Sequence, residues 1–129
     1  MPIDQAQLSQ FCGDEERYRH WTRRLIYTPG VKFVADNGGQ SGAYWLLDAI
    51  ASYQPDRRIR DNPKLREFQV WTLKVDLPAR TAVLFCTDGD GEAHVIEQQI
   101  EHTDFDLAEV RFYVCEGDGE RVLMLPNEY

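Results

Sequence analysis

Apolar positions along the chain change period near its middle. Up to about residue 53 they recur at helical spacing, and from about residue 66 they alternate as in strands. Tyr18, Trp21 and Leu25 stand at i, i+3 and i+7, which predicts a first helix over 14–25. Its acidic start, Asp14-Glu15-Glu16, and its basic end, Arg23-Arg24, suit the two poles of a helix dipole. A short second helix is predicted from Thr28, a good N-cap, with Pro29 at the first helical position and a stop at Asn37-Gly38-Gly39. The third helix carries Ala43, Leu46, Leu47 and Ile50 on one face, with Ser41 as its expected cap and Tyr53-Gln54-Pro55 at its end. Residues 54–65 read as a charged loop with two prolines.

Five strands follow. Phe68 to Val75 puts Trp71, Leu73 and Val75 on one face; Leu77-Pro78-Ala79-Arg80 turns the chain into Thr81 to Thr87. Asp88-Gly89-Asp90-Gly91 is a hairpin signal, because Asp-Gly accepts the positive φ angles of tight turns. Glu92 to His102 is the third strand; Ala108, Val110, Phe112 and Val114 alternate in the fourth; Glu116-Gly117-Asp118-Gly119 leads to the fifth, Arg121 to Leu125. Helices first and strands afterwards predict an α+β fold. It is expected as one domain over 1–129: a disordered segment 1–13, a helical part 14–53, and an antiparallel meander of about five strands over 66–125 packed against about three helices.

Composition agrees with one packed core and narrows the setting. The chain has 129 residues, 43% hydrophobic, enough to fold without disulfides or structural metal. Its three cysteines, Cys12, Cys86 and Cys115, lack metal-site spacing, and two of them sit in apolar strand-like runs. No stretch approaches the roughly 20 apolar residues of a membrane span, and no apolar secretory segment opens the chain. The reducing cytoplasm is the expected location.

Charge divides the chain. Residues 1–64 hold nine Lys/Arg against eight Asp/Glu, and residues 65–129 hold five against fourteen, for a net charge of −8. In a meander the 88–92 and 116–120 turns fall at one end of the sheet. Asp88, Asp90, Glu92, Glu116, Asp118 and Glu120 then form an acidic patch suited to a protein partner with a basic surface. The alternative surface is basic: Arg17, Arg19, Arg23 and Arg24, interleaved with aromatics, suit nucleic acid. Glu15 and Glu16 partly neutralise that cluster.

Signals for catalysis or ligand binding are weak. Asp88-x-Asp90-x-Glu92 resembles part of a calcium loop but is flanked by strands. The Gly38-Gly39-Gln40-Ser41-Gly42 segment lacks the lysine and preceding strand of a phosphate loop; a helix end followed by a helix start explains its glycines. His20, His94 and His102 match no metal spacing, with Asp104 or Asp106 or without them, and no cysteine-hydrolase signature surrounds the cysteines. No catalytic residue, metal or cofactor is expected. A cleft joining His20, Asp48 and a cysteine would mark an enzyme; an acidic face with exposed aromatics would mark a binding protein.

Several segments occur in a recognisable order: Tyr18-Arg19-His20-Trp21, Tyr27-Thr28-Pro29-Gly30-Val31-Lys32, Ala43-Tyr44-Trp45-Leu46-Leu47-Asp48-Ala49-Ile50, Phe68-Gln69-Val70-Trp71 and Thr103-Asp104-Phe105. Over about residues 11–115 the chain resembles an uncharacterised family of small bacterial proteins carried on plasmids, prophages and other mobile elements. The resemblance brings no catalytic residues. It implies a protein that acts by binding, including as an inhibitor of a bacterial defence system in the manner of anti-CRISPR proteins.

Overall fold

The second predicted helix forms as the caps dictate. Helix α2 spans Pro29–Asn37, and the Thr28 hydroxyl accepts the Val31 N–H at 3.4 Å. Helix α3 spans Tyr44–Tyr53, and its N-cap is Ala43, two residues past the expected Ser41 cap. The shift has a packing cause. Ala43 N–H donates to Ala35 O at 2.7 Å, and Gly42, at φ +80°, comes so close that a Cβ there would stand 2.6 Å from the same carbonyl. The turn thus ties α2 to α3 through backbone, and only glycine fits it. The structure, a computed structural model, describes residues 3–11, 16–89, 93–117 and 119–129.

The segment 14–25 is not a helix where it is described. Strands β1, Tyr18–Arg19, and β2, Ile26–Tyr27, pair antiparallel around a turn at 20–25. The helical reading required Trp21 on a buried face; Trp21 is instead 76% exposed, while His20 and Leu25 are buried. Residues 3–11, expected to be disordered, contain the single-turn helix α1, Gln5–Leu8, capped by Asp4, with Ile3 and Leu8 buried in the core. The charged loop 54–65 holds two further short helices. Helix α4 is Arg57–Arg60, capped by Asp56, and α5 is Pro63–Glu67, capped by Asn62. Their apolar anchors, Ile59 and Leu65, are fully buried.

The five predicted C-terminal strands are present: β3 Phe68–Asp76, β4 Thr81–Thr87, β5 Ile96–Ile100, β6 Glu109–Gly117 and β7 Glu120–Met124. Their order is not a meander. The described sheet has seven strands in the order β1-β2-β7-β6-β3-β4-β5. After β5 the chain skirts the β3–β4 turn, where Thr103 N–H donates to Arg80 O and Val75 N–H to Ala108 O. It then returns as β6 on the far side of β3. Strand β2 joins β7 in parallel, Ile26 opposite Val122 and Tyr27 opposite Leu123. The sheet is therefore mixed, with β3 in the middle of the strongest ladder.

Alternation sets two faces. Gln69, Trp71, Leu73 and Val75 of β3 share a face with Val110, Phe112 and Val114 of β6 and with Leu84 and Cys86 of β4. This face joins Leu46, Leu47, Ile50, Val31 and Val34 of the helices in one core. Buried polar groups in it are matched. The Gln54 and Gln69 amides exchange two hydrogen bonds at 2.9 and 3.0 Å, and the Trp71 indole donates to Gln69 Oε1 at 2.7 Å. The other face of β3, β4 and β6 carries Phe68, Val70, Thr72 and Lys74, with Phe85, Thr87, Arg111 and Tyr113 beside them. Among the described residues, no helix is long and apolar enough to cross a membrane.

Candidate functional site

The registers decide which loops meet. Strands β4 and β6 both run antiparallel to β3, so the β4–β5 and β6–β7 turns lie at the same end of the sheet. Because β2 is parallel to β7, the β1–β2 turn lies there too. One end therefore gathers both the acidic turns and the arginines. The two acidic turns are farther apart than in a meander, because β3 and the helix α5 that feeds it stand between them.

The acidic members seen at this end face cations of the same chain. Glu120 pairs with Arg19 at 2.6 Å, and Asp88 lies 4.0 Å from Lys64. Burial lowers the Arg121 guanidinium pKa, nearby Glu116 partly offsets that, and the guanidinium donates to Gln54 Oε1 at 2.6 Å. Asp90, Glu92 and Asp118 lie outside the described residues. Of the basic set, Arg19 is committed to Glu120, and Arg17 donates to Glu16 O at 2.7 Å. The side chains of Arg23 and Arg24 make no ion pair with any described residue, and both are exposed.

The turn that presents them is heavily braced. His20 N–H donates to Leu25 O at 3.0 Å, and Arg23 N–H to His20 O at 2.9 Å. The buried His20 ring lies 2.7 Å from Asp48 Oδ1 through Nε2 and 2.8 Å from Thr22 Oγ1 through Nδ1. The Thr22 N–H donates to Nδ1 at 3.2 Å, which makes Nδ1 the acceptor and leaves Nε2–H for Asp48. The Trp21 indole N–H also donates to Asp48 Oδ1, at 2.8 Å. Trp21 is thus fixed at its polar atom while its ring stands in solvent. Arg23 takes φ +64°, a left-handed conformation that closes the turn. Beside it, Arg23, Arg24, Glu116, Glu120 and Arg121 line a cleft of about 250 Å³.

Thr22, His20 and Asp48 are linked in the manner of a hydroxyl, base and orienting carboxylate. Neither described cysteine joins them. Cys86 is fully buried, and burial pushes its thiol up to about 12; Cys115 is half-buried, and burial raises its thiol as well. Cys12 lies outside the described residues. Among the described residues no group of three or more His, Cys, Asp or Glu is placed to hold a metal. The glycine-rich loop does bind carboxylates, but from its own chain. Gly39 N–H donates to Asp106 Oδ2 at 3.0 Å, and Gln40 N–H to Asp104 Oδ2 at 2.8 Å. Gly39 holds φ +88°, and a Cβ there would collide with Asp104. Asp104 and Asp106 are therefore structural clamps on the α2–α3 loop.

Sequence reasoning missed the Trp21 turn because the apolar spacing of Tyr18, Trp21 and Leu25 imitates a helix face. A contrary signal was available. Thr22 and His20 side chains that bond nearby backbone compete with helix formation, and Ile26-Tyr27-Thr28 favours extended backbone.

The arrangement is that of a two-layer α+β protein that presents a rigid aromatic turn and no assembled catalytic centre among its described residues. Residues 3–129 match the model of a family of unknown function, DUF6876, and the chain belongs to that family. A crystal structure of a protein of unknown function from Enterococcus faecalis is similar in fold, with TM-score 0.59 at 13% sequence identity, covering 90% of this chain and 93% of that one. No curated protein matches the chain.

Proposed function

We propose that this protein is a non-enzymatic binding protein that docks onto a partner protein through the Trp21 turn. One observation carries the reading: a tryptophan 76% exposed, on a turn locked by His20, Thr22 and Asp48. A large apolar ring left in water favours association, and holding it in place beforehand lowers the entropy lost on binding. Tryptophan and arginine are the residues most enriched at the energetic centres of interfaces, and Arg23 and Arg24 flank this one. The partner is expected to offer an apolar pocket for the indole with carboxylates at its rim.

Mixed charge around the turn supports a protein partner over nucleic acid. Glu116 and Glu120 lie among the arginines, and a polyanion is repelled by them and by the net charge of −8. The raised thiols of buried Cys86 and half-buried Cys115 weigh against an enzyme built on either of them. The resemblance to mobile-element proteins directs the search for the partner to bacterial defence complexes in the cytoplasm.

The test is affinity capture with the full chain from host extract, followed by reconstitution of the captured pair. Trp21→Ala is expected to weaken the reconstituted complex by about 2 kcal/mol or more, roughly 30-fold. Reversing Arg23 and Arg24 to Glu should slow association and reduce its salt dependence. The melting temperature of Trp21→Ala should stay near that of the parent. A partner held equally well by Trp21→Ala would refute the assignment.

A further inference from the structure

A second surface lies apart from the turn, on the face of the sheet opposite the helix-packed core. A groove of about 560 Å³ runs over β3, β4 and β6, within the size range of small-ligand sites. Its floor follows from register. Thr72 lies between Arg111 of β6 and Phe85 of β4, and one row along, Val70 lies between Tyr113 and Thr87.

Two chemistries meet there. The first is aromatic. Phe85 and His94 stack with centroids 3.9 Å apart and planes 13° apart, and Phe68 and Tyr113 pack at 4.8 Å. The second is cationic. Lys74 stands 5.7 Å above the Phe85 ring, and its nearest carboxylate is Glu109 at 3.9 Å. Arg111 is exposed, and its side chain makes no hydrogen bond or ion pair with any described residue. No carboxylate is among the described residues that line the groove. His94 lies 3.5 Å from Glu97, so in a chain of net charge −8 Arg111 is the cation of this groove with no described carboxylate beside it.

We infer that this groove binds a compact anion joined to a planar ring, of the nucleoside monophosphate class. The ring stacks against the His94–Phe85 pair, and the acidic group takes the fork of Arg111 with Lys74 beside it. Arg111 and Phe85 sit two strands apart, about 10 Å, a span that a heterocycle bridges through a sugar to its phosphate. The rim limits the ligand's size. Glu97 lies opposite Phe85 on β5, and Glu109 lies opposite Lys74 on β6. On the other side of Tyr113 and Tyr129, a neighbouring groove carries Glu116 and Glu120. A long polyanion meets repulsion at both ends; one acidic group does not.

The experiment is calorimetric titration of the full chain with AMP and UMP. Adenosine, inorganic phosphate, a ten-nucleotide oligothymidylate and a glutamate-rich peptide serve as comparison probes. Saturable binding of a monophosphate, tighter than that of adenosine or phosphate alone, is expected. Arg111→Met should weaken it about tenfold or more, with an unchanged melting temperature because the side chain is exposed. His94→Ala should weaken the monophosphate and leave the response to inorganic phosphate as it was. Trp21→Ala should bind the monophosphate normally, which separates this site from the protein-docking turn. Absence of saturation by either monophosphate, equal binding by Arg111→Met, or tighter binding of the oligonucleotide or the peptide would each overturn the assignment.

Discussion

Glu128 shows how much one side chain can hold in this molecule. Its carboxylate is buried and accepts the Thr28 hydroxyl at 2.6 Å, the Leu125 N–H at 3.0 Å and the Gly30 N–H at 3.1 Å. Two of those donors belong to the start of α2, where free N–H groups and the helix dipole favour a negative charge. Removing the side chain strands all three donors. Glu128→Ala should therefore cost about 3 kcal/mol in urea denaturation, and Glu128→Gln, which keeps an acceptor oxygen, clearly less. Equal stability of the two variants would show that the acceptor oxygen kept by glutamine contributes nothing. None of this was legible in the sequence, where Pro126-Asn127-Glu128 reads as a polar end to the last strand. A capping residue about a hundred positions from its helix leaves no local pattern.

Among the elements, legibility followed burial on one side. Helix α3 was readable because Leu46, Leu47 and Ile50 repeat at helical spacing, and all three are fully buried in the core that also contains Trp71. Leu47→Ala should destabilise the protein by about 2–5 kcal/mol, with the spread set by how far the cavity collapses; an unchanged thermal melt would contradict this packing. Strands β3, β4 and β6 were readable for the matching reason, since alternation reports one covered face. The short elements were not. In α4 and α5 a single apolar residue, Ile59 or Leu65, does the anchoring, and one residue has no period. Their caps, Asp56 and Asn62-Pro63, were visible, but inside a charged stretch they resemble loop chemistry. The β1–β2 pair has two residues per strand and depends on β7 for its place, so its local sequence did not declare it.

At the scale of the whole molecule, the α+β class and the five later strands could be read, but their order could not. Alternation says which residues face the core and nothing about which strand lies alongside which. The insertion of β6 next to β3 rests on contacts such as Trp71 opposite Phe112, which are 41 positions apart in sequence and carry no joint signature. The same limit applied to the site. Arginines and acidic turns were both singled out from composition, yet the parallel β2–β7 pairing that brings them to one end was invisible. Its effect is to set Arg19, Arg23 and Arg24 beside Glu116 and Glu120, next to a projecting indole.

The parallel join between β2 and β7 also has a consequence for biosynthesis. Residues made earlier wait for residues about a hundred positions later in the chain: Ile26 and Tyr27 need Val122 and Leu123, and Thr28 needs Glu128. Until then α2 has α3 beside it but lacks its β7 neighbours, and this part of the nascent chain is exposed to proteases and chaperones until they emerge. Chains halted after residue 117 should be cleaved rapidly between residues 18 and 40, whereas full-length chains released from the ribosome should resist. Equal resistance of the halted chains would mean that the early segment finds order without its late partner.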